Sequence, residues 1–154
     1  MNKPLRKLIS GGQTGVDRGA LDAALDLGFE CGGWCPRGRK AEDGPIPERY
    51  PLTEVDGGYA ERTEANVRDS DATVIVHHGP VSGGTRLTHA LCRKWNRPCL
   101  LLDLAELDPH TAAGKLADFV QANRISILNV AGPRASSWPQ AHAMTSALLK
   151  NSGF

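Results

Sequence analysis

The stretch Leu8-Ile9-Ser10-Gly11-Gly12-Gln13-Thr14-Gly15-Val16-Asp17-Arg18 decides how the rest of the chain is read. It begins as a short apolar strand, passes through a turn holding Gly11, Gly12 and Gly15, and enters a helix at about Thr14. Glycine suits such a turn because the chain reverses tightly and its N–H groups can approach a ligand with no Cβ in the way. Thr14 and Asp17 stand at the spacing of a capping box variant, which marks a helix start. A helix N-terminus at the mouth of a strand is a ready anion site, although an ordinary βα turn has the same pattern.

A second junction of the same kind lies further along. Ala72-Thr73-Val74-Ile75-Val76-His77-His78 is the clearest strand in the chain, a β-branched run of the kind buried in parallel sheets. It leads into a turn with Ser82, Gly83, Gly84 and Thr85, followed by the helical stripe Leu87, Ala90, Leu91 and Trp95. Adjacent histidines on a strand point to opposite sides, so His77 and His78 make a poor metal pair and read as rim residues.

Between these junctions the first helix runs to Leu27 on the stripe Val16, Ala20, Leu21, Ala24, Leu25 and Leu27. Asp22 and Asp26 are expected to face outward, and Gly28 ends the helix. Phe29 to Trp34 forms a weak, glycine-rich second strand. Cys35 to Gly58 has little periodicity but four prolines and the anchors Ile46, Tyr50 and Leu52, so it is expected to be an ordered loop lying over a site. Tyr59 to Asp69 is helical, and its first turns carry Arg62 and Thr63 to the end of the sheet where the strands finish, with Asn66 one turn on.

The remainder alternates in the same way. A fourth strand spans Pro98 to Leu104, an amphipathic helix Thr111 to Asn123, and a fifth strand Ile125 to Val130. The loop Ala131 to Pro139 then brings Arg134, Ser136 and Ser137 to the same end of the sheet, before a last helix on Ala141, Met144 and Leu148.

Strand alternating with helix five times is the signature of an α/β fold, a Rossmann-like open parallel sheet of about five strands with helices on both faces. The 154 residues fit a single domain, 1–154, with no repeat or linker. A net charge of +1 gives no reason to expect nucleic acid or an anionic membrane as partner. No apolar run approaches a membrane span and the N-terminus lacks a secretion pattern, so a soluble, cytoplasmic protein is expected. Cys31, Cys35, Cys92 and Cys99 match no common zinc spacing; Cys99 reads as core and Cys35 as an exposed site candidate.

Such sheets bind ligands beyond the strand C-termini, where the strand order reverses. Placing the first and third strands side by side would converge two helix N-termini on one crevice, each with roughly half a unit of positive charge. Arg18, Arg62 and Arg134 would add full charges, and arginine grips oxyanions in bidentate fashion. The crevice is expected to hold a small-molecule anion: phosphate, a nucleotide, or an oxyanion such as molybdate. Hydroxyls of Thr14, Ser82 and Thr85 would add hydrogen bonds. Trp34 is placed either stacked on a flat ring or in the core. Neither a P-loop nor a dinucleotide fingerprint is present.

The blocks I-S-G-G-Q-T-G-V-D-R-G-A-L-D, G-G-W-C-P-R-G-R-K-A-E-D-G-P-I-P, Y-A-E-R-T-E-A-N-V-R-D-S-D-A-T and S-G-G-T together resemble the molybdenum carrier family. That family includes the molybdenum cofactor carrier proteins of algae and bacteria. The resemblance covers nearly the whole chain. It implies a Rossmann-like fold, related to the "Lonely Guy" phosphoribohydrolases once labelled lysine decarboxylases. It also implies a homo-oligomer, a dimer or tetramer, that carries molybdenum cofactor or a molybdate-like anion and passes it to molybdenum enzymes. By resemblance, the loops with Gly11, Gly12, Gln13, Thr14, Gly15, Ser82, Gly83, Gly84 and Thr85 form the binding crevice.

The phosphoribohydrolases have a longer second loop with a glutamate close behind it. Here Thr88 and His89 stand where that acid is wanted. Glycosidic cleavage calls for a nearby carboxylate; Asp17, Glu64 or Asp43 could supply one but the sequence places none of them there, so carriage without chemistry is favoured over hydrolysis. A nucleotide sensor or a nucleoside-monophosphate glycosidase using the same crevice is the alternative.

Overall fold

The computed structural model describes residues 5–154. In chain order the elements are β1 (Lys7–Ile9), α1 (Val16–Leu27), β2 (Glu30–Gly32), β3 (Trp34–Cys35), β4 (Lys40–Ala41), β5 (Gly44–Pro45) and β6 (Thr53–Glu54). They continue with α2 (Tyr59–Arg68), β7 (Ala72–His77), α3 (Gly83–Lys94), β8 (Cys99–Asp103), α4 (Pro109–Ala122), β9 (Ile127–Ala131) and α5 (Ala141–Lys150). Five of the strands make one parallel sheet in the order β2-β1-β9-β7-β8. The α/β class and the helices on both faces are as the sequence predicts.

The strand order is not. The first and third strands of the sheet, β1 and β7, are not neighbours, because β9 pairs with both. Moving the last βα unit, β9 with α5, to the front of the chain turns this order into 3-2-1-4-5, the doubly wound Rossmann arrangement. The reversal point of that arrangement lies between β9 and β7, so the loop after β9 becomes a wall of the crevice.

The two faces of the sheet differ. Leu8, Val74, Val76, Leu102, Leu128 and Val130 point to the side of α1, α4 and α5, where they meet Val16, Ala20, Leu116, Val120, Leu148 and Leu149 in a dry core. Gly19 allows α1 to approach α5, since a Cβ there would lie 2.5 Å from the His142 carbonyl oxygen. The opposite face carries Thr73, Ile75 and Asn129 beneath α2 and α3, and its apolar cluster is confined to Val67, Leu91, Cys92 and Cys99.

Several expectations are corrected. α1 begins at Val16, because Gly15 sits at φ 82° and Thr14 belongs to the turn. No capping box forms there: the Asp17 carboxylate accepts the Gln13 N–H at 3.2 Å, and the Thr14 hydroxyl is engaged elsewhere. Leu25 and Leu27 are exposed, past the end of the core. Asp22 is engaged by the Tyr50 hydroxyl at 2.7 Å and lies 2.7 Å from His142 Nε2. Of the stripe read on α3 only Leu91 is buried. Leu87 and Trp95 are exposed, and Thr85 and Thr88 turn inward instead because a polar cavity lies beneath them.

Cys35 is fully buried against Leu21, Ile46 and Tyr50, and burial pushes its thiol pKa up. It is therefore no exposed site candidate. The segment 35–58 is ordered, as its prolines and anchors suggest, with Ile46 and Tyr50 buried. It does not cover the cavity. It packs behind the first glycine turn, where Leu52 and Ile46 lie against Gly12. The β4–β5 hairpin tip fastens it there: Asp43 takes both terminal nitrogens of Arg18, at 2.5 and 2.7 Å.

Candidate functional site

The cavity opens at the C-terminal ends of β1, β9 and β7 and measures about 320 Å³, near the lower end of the usual range for small-molecule sites. One wall is the start of α3, with Ser82, Gly84, Thr85 and Thr88. The floor is the sheet itself, at Ile75, Asn129 and Val130. The loop after β9 supplies Gly132, Pro133, Arg134 and Ser137. The opposite wall carries Gly11, Gln13 and Asp17 from the first turn, with Arg62, Thr63 and Asn66 of α2 above them.

Each wall has a local cause. Ser82 is the N-cap of α3; its Oγ accepts the Thr85 N–H at 3.4 Å and leaves the first turn of the helix facing the cavity. The Ser82 and Thr85 hydroxyls lie 3.4 Å apart. Gly132 has to be glycine, because a Cβ there would meet the Val76 carbonyl oxygen and lie 2.7 Å from a Val16 methyl. Gly11 lets the Arg62 side chain pass flat over the turn, where a Cβ would sit 2.5 Å from Arg62 Cδ. Asn66 is fixed by Trp34, accepting its N–H at 2.8 Å and donating to its carbonyl at 2.9 Å.

The charges are few and well defined. Arg62 donates to Asp17 Oδ2 at 3.0 Å, with both side chains largely buried. Burial raises the pKa of Asp17, and the Arg62 guanidinium opposes that rise. Arg134 has no carboxylate within ion-pair distance among the described residues, and its guanidinium lies 5.4 Å from the centre of the Tyr59 ring. Arg62 approaches the same ring at 5.5 Å. Asp17 is the single carboxylate lining the cavity, against two arginines. No three His, Cys, Asp or Glu side chains gather as a metal-binding group among the described residues.

Of the residues expected at the crevice, Gly11, Gln13, Arg62, Thr63, Ser82, Gly84, Thr85 and Arg134 line this cavity. Gly83 begins α3 beside it. The others are placed elsewhere. Gly12 is packed behind by the 35–58 segment, and Gly15 faces the loop after β9. Thr14 Oγ1 donates to Glu42 at 2.7 Å and accepts the Ala135 N–H at 3.1 Å. Ser136 donates to Glu42 through its N–H and its hydroxyl, at 3.1 and 2.6 Å, and these bonds hold the Glu42 pKa below its ordinary value. Arg18 is bound to Asp43 and to the Gly12 carbonyl. Trp34 reaches away, its indole N–H donating to Asp69 at 2.8 Å. The two converging helix N-termini reduce to one. That of α1 is closed by the Pro133 carbonyl, which accepts the Val16 N–H at 3.2 Å.

In the sequence Asp17 and Asn66 had only minor parts, Thr88 stood only for a missing acid, and Asn129 and Gly132 were left out. Asp17 carried a signal in its spacing from the glycines. Asn129 carried one too, as a polar residue inside an apolar strand.

The model of the circularly permutated YpsA SLOG family matches residues 8–152. The chain belongs to that family. The strand order of this chain is itself that of a permuted Rossmann sheet, with the βα unit of β9 at the end of the chain instead of the beginning. This SLOG-family protein is also 42% identical to the crystal structure of a "Putative molybdenum carrier protein" from Syntrophus aciditrophicus. The match covers 97% of this chain and 96% of that one, with a TM-score of 0.95. The resemblance to molybdenum carrier proteins drawn from the sequence blocks is thus borne out. No curated protein matches. No helix among the described residues is long and apolar enough to cross a membrane.

Proposed function

We propose that the cavity binds a molybdenum-related oxyanion, as molybdate or within molybdenum cofactor, and that the protein carries this cargo without transforming it. The observation that carries the reading is the balance of the walls. An open helix N-terminus and two arginines face a single carboxylate that is already paired. The lining offers N–H and O–H donors in place of thiolates or imidazoles, which fits a metal met through its oxygen atoms. The similarity to a protein described as a molybdenum carrier supports the choice of metal. For a flat pterin, Tyr59 is the aromatic beside the cavity, exposed and flanked by Arg62 and Arg134, and takes the stacking part that was one of the two expectations for Trp34.

Hydrolysis of a glycosidic bond ordinarily uses two carboxylates, and the lining holds one, which favours carriage over chemistry. Self-association belongs to the same reading. The exposed Leu87 of α3, Trp95 just past its end and Leu101 of the edge strand β8 are the face it would use. Molybdenum enzymes are the recipients the carrier reading entails.

Native mass spectrometry of the purified protein, with elemental analysis for molybdenum and tungsten, tests the proposal. Bound molybdenum, with or without a pterin, is the expected result. A bound nucleotide and no metal overturns it in favour of a nucleotide sensor, and the same spectra give the oligomeric state.

A further inference from the structure

Cys92 and Cys99 do not line the cavity, and they lie against each other. Cys92 sits in the last turn of α3, buried in a cluster with Val67 and Leu91. Cys99 opens β8 and packs on that cluster while remaining partly exposed. The chain brings the two together by a short route. Helix α3 ends at Lys94, the Arg97 N–H returns to the Cys92 carbonyl at 2.8 Å, and Cys99 then pairs with Thr73 of β7. Both cysteines are free.

The two sulfurs are hydrogen-bonded to each other. The Cys99 thiol, helped by the Thr73 hydroxyl, draws the Cys92 pKa down from 9.0 to about 7, against the opposing effect of burial. The same thiol–thiol bond, with burial, pushes the Cys99 pKa up. The pair therefore gives up a first proton readily and holds the second between two sulfurs. Cys31 and Cys35 make the contrast. They too share an apolar cluster, but burial raises both pKa values and keeps both as thiols.

The approach to the pair is cationic. Arg93 follows Cys92 and Arg97 stands two residues before Cys99, both exposed, which suits a reagent carrying carboxylates.

We propose that Cys92 and Cys99 are a thiol–disulfide exchange site, which reacts with a small carboxylate-bearing disulfide of the glutathione type and closes into an intramolecular disulfide. Cys99, the sulfur open to solvent, passes its proton to Cys92, attacks one sulfur of the reagent and releases the first thiolate. Cys92 then loses that proton to water, attacks Cys99 Sγ and releases the second thiolate. Two electrons pass from the cysteine pair to the reagent, which is reduced to two thiols. The site goes beyond the carrier reading and does not depend on it. Because α3 also supplies Thr85 and Thr88 to the cavity wall, closure pins the far end of that helix to β8.

The test is mass spectrometry of the folded full chain after incubation with glutathione disulfide, with peptide mapping of each cysteine. The expected wild-type product has lost two hydrogens, retains no glutathione at these positions and carries a bond between Cys92 and Cys99. Dithiothreitol should restore both thiols. In Cys92→Ser the second step is removed, so one glutathione should stay on Cys99. In Cys99→Ser the buried Cys92 should react at least about tenfold more slowly than the wild-type pair closes. Wild type that keeps glutathione on Cys99 without closing overturns the proposal, as do thiols at both positions that stay reduced while Cys31 reacts. The wild-type product decides the matter even where a variant fails to fold.

Discussion

After β1, the turn Gly11–Gly15 feeds α1; after β7, the turn Ser82–Thr85 feeds α3. In sequence the two look interchangeable, each a strand, a glycine pair and a threonine. In the fold the first is enclosed. The Pro133 carbonyl caps its helix, Leu52 and Ile46 fill the space behind Gly12, and Thr14 is tied to Glu42. The second stands open, with no neighbouring atom near a Cβ at Gly83 and only Ser82 Oγ, at 3.8 Å, near one at Gly84. A glycine turn therefore signals close approach of something to the backbone, and that something is protein at one junction and a cavity at the other.

The sharpest way to break this contrast is a methyl group at each turn. Gly15→Ala forces φ 82° on an L residue and drives its Cβ to 2.6 Å from the Pro133 carbonyl oxygen. A loss of roughly 3 kcal/mol or more in urea unfolding is expected. Gly84→Ala, at an open helical position, should instead leave stability unchanged or raise it by about 0.5–1 kcal/mol. Equal losses at both would mean that the second turn is enclosed too.

Paired threonine substitutions sharpen the contrast on the binding side. Thr85→Val should weaken molybdate binding by about tenfold in calorimetry while costing under about 1 kcal/mol of stability. Thr14→Val, which cuts the link between Glu42 and Ala135, should lower stability by about 1 kcal/mol and leave the affinity alone. The opposite pattern would move the anion to the first turn.

The third test uses pH. Asp17 holds its proton more tightly in the fold than in the unfolded chain, whose ordinary value is near 3.8. The folded state therefore binds the extra proton, and this group's contribution to stability falls as pH rises from about 3.8 through the raised value. Carboxyls such as Glu42 and Asp43, with lowered values, act in the opposite sense. Subtracting the stability curve of Asp17→Asn from that of the wild type isolates the Asp17 contribution, and a downward slope with rising pH is expected. The same variant releases the Arg62 charge, so its affinity for molybdate should rise.

The smallest effect belongs to Asp43→Ala. It opens the bidentate latch on Arg18, but Asp43 is half exposed, so the loss should be about 1 kcal/mol or less in thermal unfolding. Molybdate affinity should not change, because the 35–58 segment lies behind the first turn. A clear loss of affinity would restore that segment to the role of a cover.

Much of this was legible in the sequence. The buried run Ala72–His77, the helices on either side and the anchors Ile46 and Tyr50 follow from periodicity and turn chemistry, which act over a few residues. Arg62 was legible as well, because the first turn of a βαβ helix points to the ligand end of the sheet. Cys35 was misread because a polar stretch gave no sign of the pocket formed by Leu21, Ile46 and Tyr50. Leu87 and Trp95 were misread because the inward side of α3 faces a polar cavity, and apolar periodicity alone cannot tell a core from an outer face.

By itself the sequence determined the α/β alternation, the two glycine junctions, the loop Ala131–Pro139 as a third wall and, through its residue blocks, the family resemblance. Only the tertiary structure decided that β9 lies between β1 and β7, that Pro133 closes α1, and that the Gln13 carboxamide is buried against the Thr14 and Glu42 N–H groups. The reason is physical. Helix and strand periodicity is written between residues a few positions apart. The pairing of Lys7 with Ile127 and of Ala72 with Leu128 joins segments far apart in the chain, and it is settled by which faces can be buried together.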